Sequence, residues 1–374
     1  MKTKKRHYNI PIFLPHAACP FRCVFCDQYL ITSQIQVPLP EEVTAMIEET
    51  LSTIPENADI EAAFFGGNFT ALPTEKQELY LQSVQPWLKS GRIQGIRLST
   101  RPDCIDEENL RMLKKYGVEV VELGIQSFAG DVLRASGRGY TPEQAEKACR
   151  EIKKAGLKLG IQLMPGLPKD TMEKSVFSAE KAVELQADMA RIYPTVVLKG
   201  TPLAFMMEQG RYQPLSIEKA IEVSKEMLWR LEYAQIPVIR LGLYIGEDLQ
   251  NAENVCGGAF HPALGELVEQ RIFREQTQML LEKYSFPQES VIFYVNRRDL
   301  SKFMGWHREN WINFEQIYAK IRVKGVESPE QNWVGAGRDT STEPEIILTR
   351  AQYLEQRVKQ AEILNPSNIF NKMK

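Results

Sequence analysis

A chain of 374 residues with 43% hydrophobic content carries enough apolar material for one or two packed cores. Its 46 Lys and Arg against 48 Asp and Glu leave a formal net charge of −2. That excludes a globally basic nucleic-acid coat but not a local basic patch. No apolar run reaches the roughly 20 residues of a membrane helix, and the basic start meets Pro11, Pro15 and His16 well short of a signal-peptide core. The chain therefore reads as cytoplasmic, and its six cysteines are too few for a disulfide scaffold.

Short β-rich runs are expected at Asn9–Leu14, Ile60–Phe65, Gly95–Ser99, Val118–Gly124, Leu157–Leu163 and Asp188–Tyr193. Helical patterns fall between them at Glu41–Thr53, Thr74–Ser90, Asp106–Tyr116, Thr141–Ala155 and Thr171–Gln186. Thr141-Pro142-Glu143 is a clear helix start. Strands joined by helical crossovers predict a parallel sheet, here an α/β fold with a partial parallel (β/α)6 TIM-like barrel. The helix Ser216–Ala234 and the strand Pro237–Leu241 continue the pattern.

A soft boundary near residue 250 separates a barrel domain, 1–250, from a smaller C-terminal α/β region, 251–374. There Asn251–His261 reads as irregular, Pro262–Tyr284 as a helix and Val291–Val295 as a strand. Asn310–Tyr318 reads as a helix, Lys320–Val326 as a strand and the polar, Gly-containing Asn332–Glu345 as a loop.

Cys19, Cys23 and Cys26 follow the first strand with the spacing C-x3-C-x2-C. Three thiolates on one loop can each take one iron of a cubane cluster, which leaves the fourth iron open to a small molecule. Zinc with His16 as fourth ligand, or buried free thiols, suits the same residues.

Together with the motifs downstream, this spacing resembles the radical S-adenosylmethionine (SAM) enzymes. The resemblance implies a [4Fe-4S] cluster on Cys19, Cys23 and Cys26, with SAM on its open iron. It implies that Phe25 contacts the adenine, and that the turn Gly66-Gly67-Asn68 meets the methionine amino group. Asn68 stands where the family often has an acidic residue. Further matches lie at the carboxyl ends of strands, where barrel enzymes place their chemistry. They are Ser99 and Arg101 in Leu98–Asp103, Gln126 in Glu122–Ser127, Arg138 in Leu133–Gly139, and Gln162 and Met164 in Gly160–Pro168.

These stretches resemble two branches, oxygen-independent coproporphyrinogen oxidase and the catalytic subunit of Elongator. In the oxidase branch, residues matching Gln126, Arg138 and Gln162 contact the ribose hydroxyls or the methionine carboxylate, a role for which a guanidinium fork is suited. Arg191–Leu203 and Gly210–Leu215 resemble the Elongator subunit, although its cysteine spacing is wider and no acetyltransferase pattern follows here.

The resemblance implies an enzyme that cleaves SAM reductively to a 5′-deoxyadenosyl radical and takes hydrogen from its substrate. A flavodoxin- or ferredoxin-type partner would supply the electron. The expected substrate is an RNA base, in tRNA. A small-molecule metabolite is the alternative, and a non-catalytic Fe–S or zinc RNA-binding protein is a third. No membrane partner is expected.

Residues 287–326 run strand, short helix, Gly305-containing loop, helix, strand, which resembles a degenerate KH-like RNA-binding module. The second glycine of its G-x-x-G loop is Arg308 here. The segment carries Arg297, Arg298, Lys302, Arg308, Lys320, Arg322 and Lys324 for a local net of +3. An ordinary capping α/β subdomain fits the same pattern.

Overall fold

The alternating runs of the N-terminal half pair side by side in one parallel sheet. In the computed structural model, residues 6–19, 23–34, 36–243, 249, 252–284, 290–338 and 341–364 are described. The strands are β1 (His7–Phe13), β2 (Asp59–Phe65), β3 (Gly95–Thr100), β4 (Val118–Gln126), β5 (Lys158–Leu163), β6 (Met189–Ile192), β7 (Val196–Leu198) and β8 (Val238–Leu241). The main sheet has the order β1-β2-β3-β4-β5-β6-β8, every pair parallel. The expected partial barrel thus forms with seven strands rather than six, because the run at Pro237–Leu241 joins its edge.

Helices return the chain between strands. Thr141 caps the helix Pro142–Lys154 in a reciprocal capping box with Gln144, and Asp106 caps Glu107–Lys115. The stretch Thr74–Ser90 forms two helices, Thr74–Gln82 and Gln85–Lys89, instead of the single expected one. Pro86 has no N–H to continue the first helix and instead sits in the opening turn of the second.

The face of the sheet that positions the site is polar. Glu61 on β2 pairs with Arg97 on β3, Arg97 with Glu122 on β4 at 3.0 Å, and Glu122 with Arg191 on β6 at 2.5 Å. Arg191 also lies 5.2 Å over the ring of Phe65 on β2, four strands away. Such a reach requires a curled sheet with these side chains on its concave side. Gly160 on β5 makes the crossing possible, since a Cβ there would stand 2.8 Å from the Glu122 Cγ.

β7 leaves the main sheet and pairs antiparallel with β9 (Val255–Gly258). The stretch Asn251–His261 is therefore not wholly irregular; Asn251 lies outside the described residues. Gly258, at φ +93°, lets the β9 backbone approach Thr195 more closely than a side chain allows.

The chain divides into two units, Met1–Ala220 with Ile236–Pro262 and Ile221–Gln235 with Ala263–Lys374. The second holds the helix Leu264–Lys283 and a sheet of β10 (Val291–Asn296), β11 (Ile321–Val326), β12 (Trp333–Gly337) and β13 (Ile346–Thr349), ordered β11-β10-β12-β13. β10 and β11 are parallel, joined through the helices Leu300–Met304 and Glu309–Glu315. The rings of Phe293, Phe303 and Phe314 pack those helices onto one face of β10.

The expected loop Asn332–Glu345 contains β12, a buried central strand; residues 339 and 340 lie outside the described residues. Gly335 is not a loop signal but a close approach, as a Cβ on it would stand 2.7 Å from Pro344 Cβ.

The basic segment does not form one surface. Lys302 donates to Asn332 Oδ1 at 3.0 Å and pairs with Asp299 at 3.4 Å. Register sets Arg322 and Lys324 opposite Ile292 and Tyr294, on the sheet face away from the packed helices, whereas Arg308 lies in the loop between those helices. Arg308 adopts φ +63°, a left-handed conformation that glycine takes without cost. Residues 287–289 lie outside the described residues. No described helix is long and apolar enough to cross a membrane.

The Gly160 contact yields a prediction. Gly160→Ala should push Glu122 from its place and cost about 1–3 kcal/mol through overpacking, read as a lower midpoint in urea unfolding. An unchanged midpoint would mean the Glu122 pairings shift freely.

Candidate active site

The thiol loop follows β1 directly. Cys23 is buried, and Cys19 and Cys26 are half-buried. Val24 N–H donates to the Ser136 carbonyl and Leu203 N–H to that of Val24, so the loop is fastened on both sides. Phe25 packs with Cys23, Leu167 and Leu203, and Cys26 and Met164 pack on the same apolar cluster. Burial, then the neighbouring Cys23 and Cys19, push the Cys26 thiol up to about 12. An uncoordinated thiolate is thus costly here.

Two arginines meet at Cys23. Arg138 Nη1 donates to its Sγ at 3.1 Å, and Arg101 Nη1 lies 3.8 Å from the same sulfur. Arg138 Nε donates to the Tyr140 hydroxyl at 2.9 Å, and Nη2 donates to the Gly124 carbonyl. Arg101 forms a two-pronged pair with Asp103 at 2.9 Å and also donates to the Arg138 carbonyl. Burial opposes the charge of Arg138, yet Tyr140 and Cys23 outweigh it and its pKa rises. Gly124 leaves room for the Gln126 side chain, since a Cβ would stand 2.9 Å from Gln126 Nε2.

Gln126 ends β4 in an uncommon backbone state. Its φ is +67°, and the β4–β5 register slips between Gly124 and Gln126. A non-glycine residue held there stores strain that the surroundings must impose. The Gln126 carbonyl accepts from Met164 N–H at 2.8 Å, and its side-chain oxygen accepts from Gln162 Nε2 at 3.1 Å. Ser99 on β3 is half-buried.

At the end of β2, Gly66 and Gly67 have φ +77° and +43°. A Cβ on Gly67 would lie 2.5 Å from the Leu14 carbonyl oxygen, so only glycine fits. Asn68 is buried and uses its amide in both directions. Its Oδ1 accepts from the Thr100 hydroxyl at 2.5 Å and from Arg101 N–H at 3.3 Å, while Nδ2 donates to Cys104 at 3.0 Å. A carboxylate could not donate, which accounts for an amide here.

The sequence motifs missed two residues. Tyr140 holds Arg138, and the face of its ring lies 5.1 Å from that guanidinium. Gln28 Oε1 accepts from Gly67 N–H at 2.6 Å and from His16 N–H, tying the thiol loop to the glycine turn. Neither lies in a quoted motif, although each follows one within two residues.

Residues 14–179 match the Radical SAM superfamily, and residues 187–274 match the Radical_SAM C-terminal domain. The chain belongs to the radical SAM superfamily. It is 27% identical over 260 residues to the tRNA uridine(34) acetyltransferase of Methanocaldococcus infernus, covering 57% of this chain and 48% of that protein. It is 30% identical to Elongator complex protein 3 of Mus musculus over 48% of this chain and 37% of that protein. The heme chaperone HemW of Bacillus subtilis is 25% identical over 67% of this chain and 66% of its own. The radical SAM chain thus spans less than half the length of the first two. The archaeal Methanocaldococcus infernus Elp3 with an N-terminal deletion (1–46) shares the fold, with TM-score 0.54 and 24% identity over 75% of this chain and 64% of that one.

The superfamily uses a [4Fe-4S] cluster and SAM. The donor set suits that group: three thiols on one loop, in apolar surroundings, with two guanidiniums at Cys23 to offset thiolate charge. Among the described residues, no three His, Cys, Asp or Glu side chains converge on a single-ion site. A cubane asks for a wider set, one thiolate per iron. His16, the fourth ligand of the zinc alternative, has its Nε2 accepting from Gln28 N–H at 2.9 Å.

Two substitutions test this geometry. Arg138→Ala should weaken SAM binding by cluster-loaded protein about ten- to a hundredfold, the loss of one charge-assisted contact. Unchanged affinity by calorimetry would leave Arg138 a structural brace of Cys23 alone. Asn68→Asp should cost about 1–3 kcal/mol by stranding a charge and losing the donated bond, read as a fall in thermal midpoint.

Proposed function

We propose that this chain cleaves SAM reductively and uses the resulting radical to take hydrogen from a base in tRNA. The observation that carries the reading is the buried Cys23 faced by Arg138 and Arg101, beside the strained Gln126. A structural thiol or zinc site needs no such guanidiniums. The tRNA part is supported by relatives named for acting on tRNA uridine(34), and by the Elongator relatives.

Cys19, Cys23 and Cys26 would hold the cluster. Gln126, Arg138 and Gln162 would hold SAM through its ribose and carboxylate, with Gly66, Gly67 and Phe25 against its amino group and adenine. A bound cluster and SAM would supply one-electron reductive cleavage of the sulfonium C–S bond, giving methionine and a 5′-deoxyadenosyl radical. The chain's own work is orientation and exclusion of water. Phe25, Leu167 and Leu203 keep the loop dry, and Arg138 is fixed at three points before any ligand arrives. A flavodoxin- or ferredoxin-type partner delivers the electron.

A second reading, a small planar metabolite, is favoured by the match to a heme chaperone over two thirds of both chains.

The test has two parts. Anaerobically reconstituted protein should bind about four irons and release 5′-deoxyadenosine on reduction with dithionite. Cys23→Ala should abolish both. Stoichiometric zinc without SAM cleavage would sink the radical chemistry. Nucleosides from a deletion strain, read by mass spectrometry, should lose one tRNA modification; an unchanged nucleoside profile would favour the metabolite.

A further inference from the structure

One group inside the curled sheet is not used by that reading. Arg191 is clamped on several sides. Its Nε and Nη2 donate to Glu122 at 2.5 and 3.0 Å, and Nη1 donates to the Tyr193 hydroxyl at 3.1 Å. Its guanidinium lies 5.2 Å over the Phe65 ring, and the Phe13 ring stands 6.3 Å from Phe65. In the β5–β6 register Arg191 lies opposite Gln162, so the group is one strand from a residue assigned to SAM. The Arg191 side chain keeps 14% of its surface open.

A guanidinium held this way is a rigid plate, already oriented before a ligand arrives. Such plates stack on nucleobases, and their free N–H edges meet ring carbonyl oxygens. The charges of Glu61, Arg97, Glu122 and Arg191 cancel along the ladder, so what Arg191 offers a ligand is its planar face more than an uncompensated charge. Arg240, the register neighbour of Arg191, donates to the carbonyls of Gly242 and Leu243. We propose that Arg191, backed by Phe65 and steadied by Glu122 and Tyr193, receives the substrate's planar ring, a neutral base bearing carbonyl oxygens. The inference rests on the RNA reading above.

The test uses full-length, cluster-loaded protein with SAM and two tRNAs. One is intact, and the other is abasic at the position found altered in the deletion strain. Wild type should bind the intact tRNA about tenfold more tightly, the worth of one stacked base. Arg191→Met should bind the two alike, and Arg191→Lys, which keeps the charge but not the plate, should not restore the difference. Phe65→Leu leaves the charge ladder whole and should also shrink the ratio, so it carries the test if Arg191→Met does not fold. Variants that keep the wild-type ratio would overturn this inference and leave the RNA reading standing. A wild type that binds neither tRNA, with no nucleoside altered in the deletion strain, would overturn the RNA reading and this inference with it.

Discussion

Glu122 lies between two guanidiniums, Arg97 and Arg191, and what the inside of the sheet can be follows from that contact. Closed α/β barrels fill this space with layers of branched apolar side chains. Here a ladder of alternating charge crosses from β2 to β6, and each buried charge carries a desolvation cost of several kcal/mol that only complete pairing recovers. The pairing holds in one strand register. A slip of one residue would turn Glu122 or Arg97 to the other face and leave its partner buried and unpaired, at roughly 3–5 kcal/mol. The ladder therefore specifies register as much as it stabilises. Gly160 is the steric condition that lets it pass over β5.

The same logic recurs at the strand ends with a different anion. Arg138 and Arg101 are buried at Cys23 and held by groups from separate segments, namely Tyr140, the Gly124 carbonyl and Asp103. Cations placed there are unfavourable without a negative partner, and thiolates are unfavourable without cations. Each would make the other tolerable once the thiols bind metal, so the arginines at the strand ends suit a loop whose cysteines serve as thiolate ligands.

Much of this was legible in the sequence, for physical reasons. The sheet strands declare themselves by apolar runs between helical patterns, and the thiol spacing and glycine turn mark the candidate site. What stayed hidden depends on pairing across distance. Glu61, Arg97, Glu122 and Arg191 each read as a lone charge in a strand, because their partners lie on other strands. The basic residues of 297–324 adjoin in sequence but part in space, since alternation along β11 turns Arg322 and Lys324 away from the Arg308 loop. β12 looks like a loop in the sequence because glycines that admit a close neighbour resemble glycines that end a strand.

Gln28 shows how the thiol loop and the glycine turn become one piece. Its side-chain oxygen accepts from Gly67 N–H and His16 N–H, its own N–H donates to the His16 ring, and Asn68 N–H donates to the Ala17 carbonyl. Asn68 then reaches β3 through Thr100 and the backbone of Arg101, the arginine that faces Cys23. The path is closed: from Cys23 through Arg101, Asn68 and Ala17 back to the loop that carries Cys19. A closed path of hydrogen bonds resists distortion at any one member better than an open chain does. The groups that would hold the cluster and those that would hold the methionine end of SAM are thus placed by one shared network rather than by independent loops.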